Sequence, residues 1–98
     1  MSAKGSVTDG TELIRWNLRV FGGVRVARVD IPGRGVVWGA HVPGATAEDG
    51  RSLIGYGQTD IESILELWRA LTGTKGTGII FAGRLYEWTS GIFQEIFK

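Results

Sequence analysis

Glu12-Leu13-Ile14-Arg15-Trp16-Asn17-Leu18-Arg19-Val20-Phe21 is the stretch whose reading decides the fold. Ile14, Trp16, Leu18 and Val20 alternate with Arg15, Asn17 and Arg19. Period two predicts a half-buried β-strand. Gly22-Gly23 follows, a pair that tolerates the positive φ angles of a tight hairpin turn. Residues 24–31 (VRVARVDI) then read as the returning strand.

A two-residue turn sets Phe21 opposite Val24, Trp16 opposite Val29, Ile14 opposite Ile31 and Arg15 opposite Asp30. Opposed residues share a face. One face then holds Ile14, Trp16, Leu18, Val20, Ala27, Val29 and Ile31. Arg25 is its polar exception. The other face holds Arg15, Asn17, Arg19, Arg28 and Asp30, with Phe21, Val24 and Val26 toward the turn.

Outward from this hairpin, Pro32-Gly33-Arg34-Gly35 predicts a second turn. Residues 36–42 predict a third strand. With an even loop, Val36, Trp38, Ala40 and Val42 join the apolar face, and His41 stands opposite Val26. Residues 43–50 read as an acidic loop, and 51–57 as a fourth strand weakened by glycine. The clearest helix is 60–72. Thr59 caps it, Glu62 completes a capping box, and Asp60 suits the positive end of the dipole. Ile61, Ile64, Leu65, Trp68 and Leu71 form its apolar stripe. Gly73 ends it. Trp68 is expected near Trp16 and Trp38.

Residues 74–78 predict a loop and 79–82 a buried fifth strand. Residues 83–90 fit a strand, a loop or a helix. A short helix is expected over 91–97, with Ile92, Phe93, Ile96 and Phe97 on its apolar side. The whole predicts an α+β fold. An antiparallel meander of four to five strands carries the main helix on one face, with a short C-terminal helix.

The chain has 98 residues, 43% hydrophobic and 21% charged, with net charge +1, which suits one globular domain. Residues 1–10 read as a flexible polar tail without a signal peptide's apolar run, and 11–98 as a single domain. No stretch reaches the ~20 apolar residues needed to span a bilayer. The absence of cysteine excludes disulfides and thiolate metal sites and suits the cytoplasm. Charge is uneven along the chain. Residues 1–42 hold six bases against three acids, and residues 43–72 hold two against five. The expected reading is two solvated faces.

No catalytic or metal-ligand constellation emerges. His41 is the only histidine, with no partner placed beside it. Gly55-Tyr56-Gly57-Gln58-Thr59-Asp60 begins like a dinucleotide fingerprint. Asp60 replaces the third glycine, and a carboxylate there repels pyrophosphate. Residues 72–78 (TGTKGTG) lack the Gly-Lys-Ser/Thr ending of a phosphate loop. Arg15, Asn17, Arg19 and Arg28 form a basic stripe without the interleaved aromatics of a nucleic-acid sheet, so nucleic acid is disfavoured. Four tryptophans, Trp16, Trp38, Trp68 and Trp88, raise the alternative of a ligand cavity between sheet and helix. The C-terminal segment holds the strongest functional hint. Tyr86, Trp88, Ile92, Phe93, Ile96 and Phe97 exceed what one small sheet has room for, and leftover apolar area is a partner surface.

Gly57, Asp60, Ser63, Ala70 and Leu71 form a strand exit, a helix start and an Ala-Leu helix end. Over residues 38–71 this resembles small bacterial α+β proteins of unknown function, of the kind carried on mobile gene cassettes or beside toxin genes. The resemblance implies no catalytic residues and no cofactor. The expected function is a non-enzymatic protein-interaction domain, homodimeric and immunity-like or regulatory. The alternative is small-molecule binding in the tryptophan-lined cavity.

Overall fold

Ile14, Leu18 and Phe21 are spaced four and three residues apart, and that spacing prevails over the alternation. In the computed structural model, which describes residues 10–73, 78–89 and 91–96, Glu12–Asn17 is an α-helix (α1) that runs into a 3-10 turn over Leu18–Phe21. The expected first strand is therefore absent. Six apolar residues in ten satisfy a period of two and of 3.6 alike, and burial decides between them. Ile14, Leu18 and Phe21 are all buried on one side of the turn.

Gly22-Gly23 is correspondingly a helix stop and not a hairpin. Gly22 takes φ +89°. Its N–H donates to the Arg19 carbonyl, and the Gly23 N–H donates to the Leu18 carbonyl, both at 3.0 Å. This is the paired bonding that satisfies a helix's last carbonyls.

The chain then forms β1 (Arg25–Ile31), β2 (Gly35–Ala47), β3 (Ser52–Gly57), α2 (Asp60–Thr72), β4 (Ile79–Phe81), β5 (Arg84–Thr89) and β6 (Ile92–Ile96). The fold is α+β with an antiparallel sheet of six strands. β2 is the spine. β3 lines one side of it, while β1 and then β4 occupy the other side in turn. β5 and β6 continue outward from β4.

The register of β1 on β2 differs from expectation by one residue. Ile31 pairs with Gly35 and Val26 with Ala40. The loop is the odd-numbered Pro32-Gly33-Arg34, closed by the Arg34 N–H on the Ile31 carbonyl at 2.9 Å. A slip of one residue exchanges the faces. Val26 and Arg28 thus share the helix-covered face with Ala40 and Trp38. Val29 joins Val37 on the opposite face, and His41 stands beside Arg25 instead of Val26.

The expected loop over 43–50 is mostly strand, because β2 runs on to Ala47. No rung on either side of β2 falls between His41 and Ala45. Pro43, which has no N–H, sits there at no cost to the ladder. Gly44, at φ +83°, shifts the alternation so that Ala45 and Ala47 face inward as Ala40 and Val42 do.

The expected C-terminal helix is strand β6. Thr89 pairs with Ile92, and Leu85 with Ile96. A two-turn helix is unstable alone, whereas β5 offers a ladder for the same backbone groups. Of the ambiguous stretch 83–90, Arg84–Thr89 is β5 and Gly83 belongs to the turn before it, while Ser90 lies outside the described residues. Phe97 and residues 1–9 of the expected tail 1–10 lie outside the described residues.

α2 has the expected bounds and cap, but its buried stripe is turned. Ser63 and Leu67 face the sheet with Ile64 and Leu71, while Leu65, expected inward, is exposed. Thr59 Oγ1 accepts the Glu62 N–H at 3.1 Å. Glu62 Oε1 reaches back to the Gln58 N–H at 2.8 Å, one residue before the cap. Ile64, Leu67 and Leu71 are fully buried against β2 and β3. The core lies between the sheet and a layer made of α1, the 3-10 turn and α2.

Candidate interaction surface

α1 and its 3-10 turn are apolar on two sides. Ile14, Leu18 and Phe21 face the core. Leu13, Trp16 and Val20, at spacings of three and four, line the opposite side with exposures of 71%, 64% and 47%. Arg19 lies over the Trp16 ring at 4.3 Å from its centroid. The contact holds both groups flat on the surface and is worth roughly 0.5–1 kcal/mol at an exposed site. Asn17 Nδ2 donates to the Leu13 carbonyl at 2.9 Å, and Arg15 Nε to Thr11 Oγ1 at 3.2 Å. These bonds hold the polar side chains against the helix itself.

A shallow groove of about 270 Å³ joins this stripe to β6, between Trp16, Val20 and Arg19 on one wall and Ile92 on the other. Ile92 is 52% exposed. β6 is the outermost strand, paired with β5 alone.

The six residues expected at a partner surface divide. Tyr86 and Phe93 are buried, and Trp88 is half-buried. Phe21 meets Phe81, Tyr86 and Phe93 edge-on at 5.3, 5.1 and 5.1 Å. Trp88 meets Trp68 at 4.9 Å and Phe93 at 4.8 Å. The C-terminal segment therefore docks within its own chain and supplies much of the core. Ile92 remains exposed and Ile96 half-buried. Sequence reasoning missed Leu13, Trp16 and Val20 as surface residues, because the strand reading turned Trp16 and Val20 inward. The i, i+3, i+7 spacing was the signal.

The basic stripe does not assemble. Arg15, Asn17 and Arg19 lie on α1 and its turn, while Arg28 lies on β1 over the Trp38 ring at 5.6 Å. Asp30 pairs with Val36 and not with Arg15. The tryptophans are likewise dispersed: Trp16 at the surface, Trp38 beside Arg28, Trp68 against Trp88. Trp68 packs edge-on against Trp88 and Phe93, and not ring on ring with Trp16 or Trp38 as the sequence suggested.

The glycines of the fingerprint-like segment serve packing. A Cβ at Gly55 would meet Leu67 N at 2.1 Å, and one at Gly57 would meet Ser63 N at 2.7 Å. Ser63 is buried and donates its hydroxyl to the Asp60 carbonyl at 2.7 Å. Gly57, Asp60 and Ser63, which carried the resemblance, are thus accounted for by the seating of α2. Residues 74–77 of the phosphate-loop-like stretch lie outside the described residues.

His41 is exposed between Arg25 and Ile54 in the pairing. Among the described residues no group of three or more acidic or histidine side chains is placed to hold a metal, and no buried side-chain polar atom lacks a hydrogen bond. No described helix is long and apolar enough to cross a membrane. No protein-family model matches the chain, and no curated protein or solved structure matches it either.

Proposed function

We propose that this chain is a non-enzymatic protein-interaction domain that works as a homodimer in an immunity-like or regulatory role. The observation that carries the reading is the exposed stripe of Leu13, Trp16 and Val20, continued by Ile92. Contiguous apolar area of this kind on a small domain marks an interaction site. A tryptophan with an arginine stacked on it is the composition typical of interface centres. A second copy offers the same stripe about a two-fold axis, so one patch serves both partners.

The test is light scattering coupled to size exclusion, on the wild type and on a Leu13→Ser/Trp16→Ser double variant. Both side chains are outside the core, so the variant keeps its circular dichroism. The expected result is a dimer that becomes a monomer. A wild type that stays monomeric at high micromolar concentration overturns the homodimer.

A further inference from the structure

The edges of this sheet are protected unequally. Edge strands carry unpaired backbone N–H and C=O groups, and charged residues, proline or bulges normally guard them. β1 has Arg25, Arg28 and Asp30, and β6 has Glu95. β3, the remaining edge, reads Ser-Leu-Ile-Gly-Tyr-Gly, without charge or proline.

β3 also lies directly against α2. Gly55 and Gly57 let the helix backbone approach the strand backbone closely. Beside this contact is a groove of about 560 Å³. Ile54, Gly55 and Tyr56 form the strand wall, Glu66, Arg69 and Ala70 the helix wall, and Arg34 also borders it. A groove between a free strand edge and a helix is the setting in which an extended peptide is taken up as an added strand. The strand edge offers main-chain hydrogen bonds, and the groove side chains select among sequences.

The charges indicate the occupant. Arg69 Nη1 pairs with Glu66 Oε2 at 2.5 Å. Arg34 makes no ion pair among the described residues. The groove therefore holds two guanidinium groups against one carboxylate. Guanidinium groups bind carboxylates through two parallel hydrogen bonds. We infer that the groove between β3 and α2 binds an extended, acidic segment of another protein, which pairs with the open edge of β3 and places a carboxylate on Arg34 and Arg69.

The experiment uses the full chain and fluorescein-labelled peptides of about eight residues, long enough to span the edge. One alternates valine and glutamate, the second valine and lysine. The third is the glutamate peptide with alternate backbone nitrogens methylated, made in both phases. The glutamate peptide is expected to bind, with the lysine peptide at least roughly tenfold weaker. Of the two methylated peptides, the phase whose blocked nitrogens face β3 is expected to be weakened likewise. The other, blocked on its outer side, is expected to bind about as well as the unmodified peptide. Arg34→Glu and Arg69→Glu are each expected to weaken the glutamate peptide by roughly tenfold, and together to favour the lysine peptide. Both side chains are exposed, so circular dichroism of the variants stays that of the wild type. Three results overturn the inference: no binding of the glutamate peptide, equal binding of glutamate and lysine peptides, or full binding of both methylated forms.

Discussion

A Cβ placed on Gly55 would lie 2.1 Å from the backbone nitrogen of Leu67 and 2.3 Å from the Ser63 carbonyl oxygen. Strand β3 and helix α2 therefore touch through their backbones, with no side chain between them. This closeness buries Leu67 and Leu71 completely and opens the groove along the strand edge.

Gly55→Ala is expected to exceed the usual cost of overpacking, about 1–3 kcal/mol. The obstructing atoms are backbone and cannot rotate away, so the whole helix must lift. Gly50→Ala is the control. Gly50 has φ +92° but no atom within 4 Å of its Cβ position, so only conformational strain of about 1 kcal/mol applies. Urea unfolding of the two variants should separate them by more than the control's own loss.

Ala82 and Gly83 join β4 to β5 as a two-residue turn with Phe81 opposite Arg84. Both take positive φ, +54° and +77°. Alanine is disfavoured there, whereas asparagine tolerates the left-handed region, and Asn-Gly is the preferred pair for such turns. Ala82→Asn should stabilise the fold by about 0.5–1 kcal/mol, read as a higher urea midpoint with the slope unchanged. Ala82→Val should lower it.

α2 was legible because several independent signals agreed. Thr59, Glu62, the apolar stripe and Gly73 all mark the same element. Strand β1 was legible from its β-branched residues between Gly23 and Pro32, and β3 from a short apolar run between the acidic loop and the cap of α2. The face of β1 was not, because the length of the Pro32-Gly33-Arg34 loop sets it and one residue of turn reverses every side chain. Residues 12–21 failed for a different reason: their apolar density fits both periods. The candidate surface failed with them, since Leu13, Trp16 and Val20 form a stripe only on a helix. At the C-terminus, Gly91 in an expected helix was a local conflict. The Ser-Gly turn signal before Ile92 pointed to the hairpin that forms there.

The turn after β2 carries a titration. Asp49 accepts the Arg51 N–H at 3.1 Å and the Arg51 guanidinium at 2.8 Å. The backbone N–H of Arg51, above all, holds the Asp49 carboxyl below its usual value, with the Arg51 side chain adding to the effect. A carboxyl depressed on folding contributes stability above its unfolded pKa, and the contribution is lost as pH falls through the folded value. Carboxyl-carbon NMR titration should show Asp49 below the ordinary range. Arg51→Ala should restore only part of the shift, because the backbone donor remains. A full return to the ordinary value would place the cause in the side chain.

Phe21 distinguishes the helix from the strand most sharply. On a strand its ring sits on the outer face, and truncation costs little. In this fold it is 2% exposed and stands edge-on to Phe81, Tyr86 and Phe93 at once, with centroids within 5.3 Å. It joins α1 to both C-terminal strands, so no neighbour can fill the space without moving a second ring. Phe21→Ala should cost about 3–5 kcal/mol. Against a total stability of roughly 5–15 kcal/mol, that brings the domain near unfolding. Val20→Ser, one residue away and 47% exposed, should change stability by no more than about 0.5 kcal/mol. Phe21→Leu, retaining most of the volume, should fall between them. Equal midpoints for the Phe21→Ala and Val20→Ser variants would remove the ring cluster from the core and return residues 12–21 to a strand.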